Sequence, residues 1–310
     1  MQSLQNIQYL KNSEINKVRW DACMHSSVNG LIYGHSFYLD YMCKGWSAIV
    51  AKDYSWMMAI CSNKKYGVNY LYQPAFTQQL GVFYQPNTFV PFTEIIQILQ
   101  NKFSFFDNNW NYATPVDLIP PSIKTTSSTN LILDLGKDYE KINASYHKDL
   151  IKNLKRSQQF SLKYEATNDY HYCIHQYRNH YQKRMPHLRN KDFDNLHLLC
   201  NNAKQNNQII CRQVSNDKGE LLSLVLLLKD DRRLYNLLNT TTALGRKFEA
   251  NHFLLDAVIH EFAGSPLLFD FEGSDLAGVK SFYKNFGAIN QPYFQISYNN
   301  LMWPLYYFKK

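Results

Sequence analysis

The chain has 310 residues, of which 45% are hydrophobic and 19% charged, so it is long enough for two domains and too apolar to be natively disordered. Its formal net charge of +8 is uneven, because residues 131–310 carry 24 Lys and Arg against 18 Asp and Glu. Such an excess fits a phosphate-bearing substrate, an RNA or an ordinary basic surface.

The cysteines and apolar runs predict a cytoplasmic protein. Six Cys are scattered without a CxxC pair, so we expect reduced thiols rather than disulfides or a zinc ribbon. The longest apolar stretch, residues 221–228, is far shorter than the roughly 20 residues of a membrane span. Residues 1–12 lack the apolar core of a secretory signal.

The first part of the chain predicts a small domain with an antiparallel meander. Its strands are expected at 46–52, 56–62 and 68–72. A helix is expected at 93–101, with Thr93 as its N-cap. Two prolines followed by small polar residues at 119–129 cannot continue a helix or a central strand. We therefore expect domains at 1–125 and 126–310.

The second part predicts a mixed sheet covered by helices. Helices are expected at 139–159 (one helix or a pair), 168–185, 192–206, 248–262 and 275–286. Strands are expected at 130–135, 160–165, 208–214, 221–229, 233–238, 267–271 and 293–298. Consecutive strands followed by β-α-β crossovers imply a mixed sheet. The lack of GxGxxG after the first strand argues against a doubly wound dinucleotide fold.

Common catalytic and metal motifs are missing from the sequence. There is no GxSxG elbow and no P-loop. His171 and His175 stand at i,i+4 spacing, which would suit zinc on a helix. However, HEXXH is absent and the neighbouring residues are polar, so a wet helix face is the favoured interpretation and no metal is predicted.

Two basic segments predict contacts with an anion. The helix around 146–156 carries lysines and Arg156, whose guanidinium offers a bidentate fork to phosphate, although an amphipathic surface helix explains the pattern as well. Gly245, Arg246 and Lys247 come just before the predicted helix at 248–262, whose first N–H groups are expected to be unpaired. One glycine alone does not define a phosphate loop.

The C-terminal block contains FDFEGS at 269–274 and GVKSFYKNFG at 278–287. These segments resemble the DFGGS…GLxxFKxxFG signature of FemAB-like acyltransferases, in the GNAT (acyl-CoA N-acyltransferase) superfamily. Residues 145–165 are similar to that superfamily's basic helix leading into a strand. The resemblance implies an α/β (α+β) protein of two tandem GNAT-like domains, each a mixed, largely antiparallel sheet flanked by helices.

The resemblance also implies an N-acyltransferase. It would move an acyl or aminoacyl group from acyl-CoA or aminoacyl-tRNA to an amine by direct attack, so the absence of a nucleophile motif is expected. The acceptor would be a small-molecule or peptide amine, tRNA is a candidate partner, and no tightly bound cofactor is implied, with acyl-CoA as a candidate co-substrate. Lys284 matches the lysine of FKxxFG and is the predicted catalytic residue, stabilising charge on the donor carbonyl or phosphate.

Other site residues follow from the same resemblance and from the ends of predicted elements. The predicted substrate-binding residues are Arg156, Tyr235, Asn239, Tyr72, Gln78 and Gln79. The predicted cofactor-binding residues are Gly245, Arg246, Lys247, Asn251 and Ser274. The substrate cleft is expected between or beside the two domains, and the aromatic segment 303–308 is expected to pack back on the first domain.

The turn at 242–247 departs from the R/Q-x-x-G-x-G/A pattern of acetyl-CoA users. Thr242 replaces the Arg or Gln, and Lys247 replaces the last small residue. Two alternatives to a CoA-dependent enzyme therefore stay open: a different donor, or a catalytically degenerate GNAT-like module that binds a ligand or partner.

Overall fold

The computed structural model describes residues 6–273 and 275–303. These residues form two compact units. Unit 1 takes the described residues up to Ser128 and again from Pro292 onward, and unit 2 is Thr129–Gln291. Of the predicted terminal segment 303–308, Trp303 lies among the described residues and the rest lies outside them.

The elements are numbered here in chain order. The strands are β1 (Ile7–Leu10), β2 (Ser47–Ala51), β3 (Trp56–Ile60), β4 (Ser62–Lys65), β5 (Val68–Leu71), β6 (Val82–Tyr84), β7 (Phe105–Trp110), β8 (Lys124–Ser128), β9 (Leu131–Asp134), β10 (Lys163–Thr167), β11 (Ile209–Ser215), β12 (Leu221–Lys229), β13 (Arg233–Thr241), β14 (Leu268–Asp270), β15 (Ile289–Asn290) and β16 (Tyr293–Asn299). The helices are α1 (Lys17–Ser26), α2 (Ser36–Met42), α3 (Phe92–Lys102), α4 (Tyr139–Asn143), α5 (Lys148–Ser157), α6 (Tyr170–Tyr181), α7 (Asn190–Gln205), α8 (Ala243–Lys247), α9 (Ala250–Phe262) and α10 (Ala277–Lys284).

Unit 1 contains two sheets, with strand orders β1-β2-β3-β6 and β4-β5-β7-β16-β8. The predicted meander is confirmed for β2 and β3, which pair antiparallel, and was wrong for its third strand, because the chain changes sheet after β3 and β5 pairs with β4 and β7. Thr93 is not the N-cap of α3, which begins one residue earlier and is preceded by Pro91. The predicted connector at 119–129 contains an edge strand, β8, which pairs on one side with β16.

Unit 2 is a seven-stranded sheet in the order β10-β11-β12-β13-β14-β9-β15. It is mixed and largely antiparallel, with β13 and β14 paired in parallel, as the sequence predicted. The residues of β12 from Leu222 to Leu228 are fully buried. Helix α6 packs on β12 and β13, and α9 packs on β11 and β12. The long apolar run of β12 therefore reflects a strand covered on both faces.

The parallel pair β13 and β14 separates after three residues. Arg233, Leu234 and Tyr235 pair with β14, whereas no strand in the described part of the chain pairs with that side of β13 from Asn236 onward. The register between β12 and β13 shifts at the same place, which gives β13 one extra residue there. Such a bulge bends and twists its strand. The sheet therefore opens along the second half of β13.

A buried ion pair joins β13 and β14 across their short paired region. Arg233 Nη1 is 2.9 Å from Asp270 Oδ2, and both side chains are almost completely buried. Asn130 donates to the same carboxylate oxygen at 3.2 Å, and Arg233 Nη2 donates to Gln291 Oε1 at 2.9 Å. Because each charge has several partners, the group meets the condition under which buried ions are tolerated.

The structure refines the predictions for the two helical segments next to the site. Of the two alternatives predicted for residues 139–159, the structure has the helix pair, α4 and α5. The helix expected at 248–262 begins at Ala250 and is preceded by the short helix α8, so Gly245, Arg246 and Lys247 are themselves helical. Between α8 and α9, Glu249 has φ 56° in the left-handed region. That break is not visible in the apolar pattern of the sequence.

Candidate functional site

Unit 2 contains a cavity of about 340 Å³ beyond the point where β13 and β14 part. Residues of helices α8, α9 and α10 form other walls of this cavity. The lining residues are Tyr181, Asn239, Thr241, Gly245, Arg246, Glu249, Asn251, His252, Gly278, Val279, Phe282 and Tyr283. Four predicted site residues thus share one cavity: Asn239, Gly245, Arg246 and Asn251.

Asn239 carries an unused hydrogen-bond donor at this cavity. Its Nδ2 atom is buried and has no partner among the described residues. A buried amide without a partner costs about 1–3 kcal/mol. Such a group marks a place where a bound polar ligand would gain a hydrogen bond.

Gly245 serves helix packing as well as the cavity wall. An added Cβ at this position would overlap the carbonyl oxygen of Leu222, so a glycine is needed for α8 to approach β12. The N–H of Gly245 donates to Thr242 Oγ1 at 2.9 Å. Thr242 therefore caps the short helix α8, and the N–H of Gly245 has a partner within the protein.

The cations predicted to contact the donor are exposed. Arg246 lines the cavity, and its Nη1 donates to the carbonyl of Thr241 at 2.9 Å. Lys247 and Lys284 are exposed at the ends of α8 and α10 and do not line the cavity. Ser274 lies outside the described residues.

Tyr235 does not line the cavity. Its side chain is completely buried, and its hydroxyl donates to Asp230 Oδ2 at 2.6 Å across the turn between β12 and β13. Sequence placed Tyr235 at the end of a strand, but β13 continues to Thr241. Tyr235 therefore lies in the part of β13 that is still paired with β14.

Arg156, which was predicted to bind a phosphate, forms an ion pair with the carboxylate of Glu249. Its Nη1 is 3.1 Å from Glu249 Oε1, and Glu249 Oε2 is 3.1 Å from His252 Nδ1. Asn153 Nδ2 lies 3.1 Å from His252 Nε2, so α5 and α9 are joined by two polar contacts. The prediction for Arg156 overlooked Glu249, which pairs with it in the folded chain.

His252 is neutral in this environment. Burial lowers the pKa of His252 from 6.5 to about 4. Because the Asn153 amide nitrogen is a donor, Nε2 accepts and the ring proton resides on Nδ1, next to Glu249. Sequence reasoning missed both Glu249 and His252, since a single Glu and a single His at the start of a helix form no motif.

The predicted residues of unit 1 have structural partners. The Tyr72 hydroxyl is 3.5 Å from Cys43 Sγ, and burial raises the pKa of Tyr72. Gln79 is fully buried, donates to Gln78 Oε1 at 2.7 Å and accepts from the Tyr112 N–H at 3.1 Å. A larger cavity of about 510 Å³ in unit 1 is lined by other residues, Arg19, Lys52 and Phe89 among them.

The histidines considered for zinc do not converge on one point. His171 Nδ1 is 3.0 Å from His197 Nδ1, whereas His175 contacts Asn179. Across residues 6–273 and 275–303, no group of three or more His, Cys, Asp or Glu is arranged to hold a metal ion.

The fold matches that of several solved structures. No protein-family model and no curated protein matches the sequence. The structure of FemX superposes with a TM-score of 0.62 at 12% identity, covering 97% of this chain and 99% of that one. L-PGS from Bacillus licheniformis gives a TM-score of 0.55 at 9% identity, with 93% of both chains covered. The C-terminal domain of a putative lysylphosphatidylglycerol synthetase from Agrobacterium fabrum gives 0.58 at 8% identity, with 91% of both covered.

These similarities confirm the FemAB-like, tandem GNAT-like fold that the C-terminal motifs predicted. The identities are low, so the likeness concerns the fold. A membrane anchor is a separate matter: none of the helices described above combines the length and apolar character that crossing a bilayer requires.

Proposed function

We propose that this protein is an N-acyltransferase that holds the activated acyl end of its donor in the unit 2 cavity and transfers the acyl group directly to an amine. The observation that carries the proposal is the opening of the sheet along β13. There an unpaired strand edge and the unused Asn239 amide face a cavity large enough for an acyl group and its carbonyl.

The free edge of β13 suits the chemistry of acyl transfer. Backbone N–H groups and amide donors stabilise the negative charge that develops on a carbonyl oxygen under attack. An extended donor can also hydrogen-bond to a strand edge along its length. Among the described residues that line the cavity there is no Cys or Ser, which agrees with direct attack by the amine rather than a covalent enzyme intermediate.

The donor in this proposal carries phosphate. Arg246, Lys247 and Lys284 are exposed cations on helices that contribute to the cavity walls, and they would contact phosphates outside the cavity. Acyl-CoA and aminoacyl-tRNA both meet this description, and both are cytoplasmic donors. The name of the putative lysylphosphatidylglycerol synthetase, which contains a lysyl group, adds support for the aminoacyl class.

The test uses the purified full chain with acetyl-CoA, longer acyl-CoAs and aminoacyl-tRNA, each with a panel of amines. Thiol release and tRNA deacylation are measured. We expect amine-dependent consumption of one donor class. Absence of consumption with every pair would contradict the proposal.

Replacing Asn239 links the activity to the cavity. Asn239→Leu removes the unused donor and should lower kcat/KM at least about tenfold, because a hydrogen bond to the reacting carbonyl is lost. Asn179→Leu, on the exposed face of α6, is the matched control and should keep full activity. Equal rates in both variants would exclude a role for Asn239.

A binding module without catalysis is the second candidate. Thr242 occupies the N–H of Gly245, and Glu249 pairs with Arg156, so two predicted anion contacts are already satisfied inside the protein. Calorimetry with the same donors distinguishes the two candidates. Binding of a donor without its turnover in the presence of any amine would favour the module.

A further inference from the structure

A carboxylate and an imidazole lie together in the cavity wall, and the proposed binding of the donor assigns no role to either group. Glu249 and His252 both line the cavity, and the side chain of each is 15% exposed. His252 Nδ1 is 3.1 Å from Glu249 Oε2. The His252 ring also meets Phe282 edge-on, at 4.8 Å between ring centroids, which fixes its plane.

Glu249 is held in a backbone conformation that non-glycine residues rarely adopt. Its φ of 56° costs free energy, and such residues collect where function requires them. Arg156 holds one carboxylate oxygen from α5, which leaves the other for His252. The carboxylate is thus oriented from both sides.

The second ring nitrogen of His252 is the one able to take a proton. The ring proton is on Nδ1, beside Glu249, and Nε2 accepts a hydrogen bond from the Asn153 amide at 3.1 Å. An amine is also an N–H donor, so the acceptor substrate can replace the Asn153 amide at Nε2 without leaving the nitrogen unpaired. The groups around the ring are therefore Glu249, Arg156 behind it, Asn153 and Phe282.

We propose that His252 is a catalytic residue whose Nε2 accepts the proton that the attacking amine loses, and that Glu249 is the positioning residue that orients its ring. This inference rests on the proposed acyl transfer. It adds the base that the predicted site lacked.

The step balances without another reactant. The amine nitrogen forms a bond to the donor carbonyl carbon, the π pair moves to oxygen, and Nε2 takes the N–H proton. The oxyanion then collapses, and the bond between the acyl carbon and the oxygen or sulfur of the carrier breaks with its electron pair. That oxygen or sulfur takes the proton back from Nε2. The products are an amide and the protonated carrier, while Glu249 stabilises the transient imidazolium.

The first experiment compares His252→Gln with His260→Gln. Both residues lie on α9, but His260 is exposed and outside the cavity wall. With the donor and amine found above, we expect kcat of His252→Gln to fall at least about 100-fold, with donor KM unchanged within about twofold. The His260→Gln variant should match the wild type. A kcat for His252→Gln within about threefold of the wild type would overturn the proposal.

Two further variants separate chemistry from folding. His252→Ala should regain part of its rate when imidazole is added, because the missing base is then supplied from solution. Glu249→Gln should lower kcat about tenfold without changing donor KM, since the ring stays in place but its cation loses the carboxylate. Lost affinity with unchanged kcat would assign both residues to structure only.

A second probe works without the natural donor. We expect the full chain to hydrolyse p-nitrophenyl acetate about tenfold faster than its His252→Gln variant, and equal rates would count against His252. If neither donor class reacts but the two proteins differ in ester hydrolysis, the proposed donors are contradicted and the role of His252 as a base is supported. If a donor reacts equally fast with the wild type and with His252→Gln, acyl transfer is supported and the role of His252 is contradicted.

Discussion

Both the backbone conformation and the side-chain contacts of Glu249 shape the site. Its left-handed backbone separates α8 from α9, and its two carboxylate oxygens meet Arg156 and His252. The helix that the sequence predicts at 248–262 therefore begins only at Ala250. The conformation of a single residue thus decides which side chains reach the cavity.

That dependence explains which site residues can be predicted. Asn239, Gly245, Arg246 and Asn251 stand near the end of a strong strand pattern or the start of a helical one, so sequence finds them. Glu249 and His252 depend on the left-handed break, which the apolar periodicity of residues 248–262 hides. Arg156 was assigned to a phosphate because its partner is 93 positions away in the sequence.

The neutral state of His252 predicts a pH dependence of stability. Its pKa is about 4 in the folded chain and about 6.5 when unfolded, so between these values the unfolded chain binds more protons. The free energy of unfolding should therefore decrease as the pH falls through this range, by up to about 3 kcal/mol from this group. Urea titrations from pH 7.5 to 4.5 should show a shallower decrease for His252→Gln. An identical decrease in both proteins would contradict the buried, neutral ring.

At the scale of elements, the buried pair at the root of β13 and β14 holds the opening of the sheet. Arg233 is the first residue of β13 that pairs with β14, and Asp270 is the last residue of β14 before the strands part, so their ion pair spans the paired region. Asn130, which directly precedes β9, donates a hydrogen bond to Asp270. Gln291, the last residue of unit 2, accepts one from Arg233. The paired part of the two strands is therefore held by a polar network as well as by packing.

Breaking this pair should destabilise unit 2. Asp270→Asn leaves the Arg233 charge buried with its main partner gone, so we expect a loss of about 3–5 kcal/mol in the free energy of unfolding. Replacing Asp138, which forms an exposed pair with Lys141, should change stability very little. Urea unfolding of both variants measures the contrast. A similar small effect in both would mean that the buried group adds little.

Elements with strong local patterns were predicted and those without were missed. The run of β12 is apolar except for Ser223 and its last residue, and turn residues separate it from β11 and β13, so the positions of these strands follow from sequence. Helix α1 was missed because its apolar residues do not repeat at helical spacing. Strand β8 was missed because Ser and Thr after two prolines are typical of a linker, and only pairing with β16 makes the segment a strand.

At the scale of the whole molecule, the uneven charge predicts how donors bind. If the donor is aminoacyl-tRNA, its affinity should fall steeply with salt, because each phosphate contact releases counterions. Lys284→Ala should then weaken binding and reduce the slope of log affinity against log salt by about one. Filter binding at several salt concentrations measures both. An unchanged slope would remove Lys284 from the phosphate contacts.

The position of β16 also constrains the order of folding. This strand follows unit 2 in the chain, yet it lies between β7 and β8 in a sheet of unit 1. Synthesis proceeds from the N-terminus, so β7 and β8 leave the ribosome long before the strand that joins them. Unit 2 is continuous in sequence and can form first. Until the segment beyond Gln291 has been synthesised, β7 and β8 in unit 1 therefore have unpaired edges, which are prone to pairing with other chains.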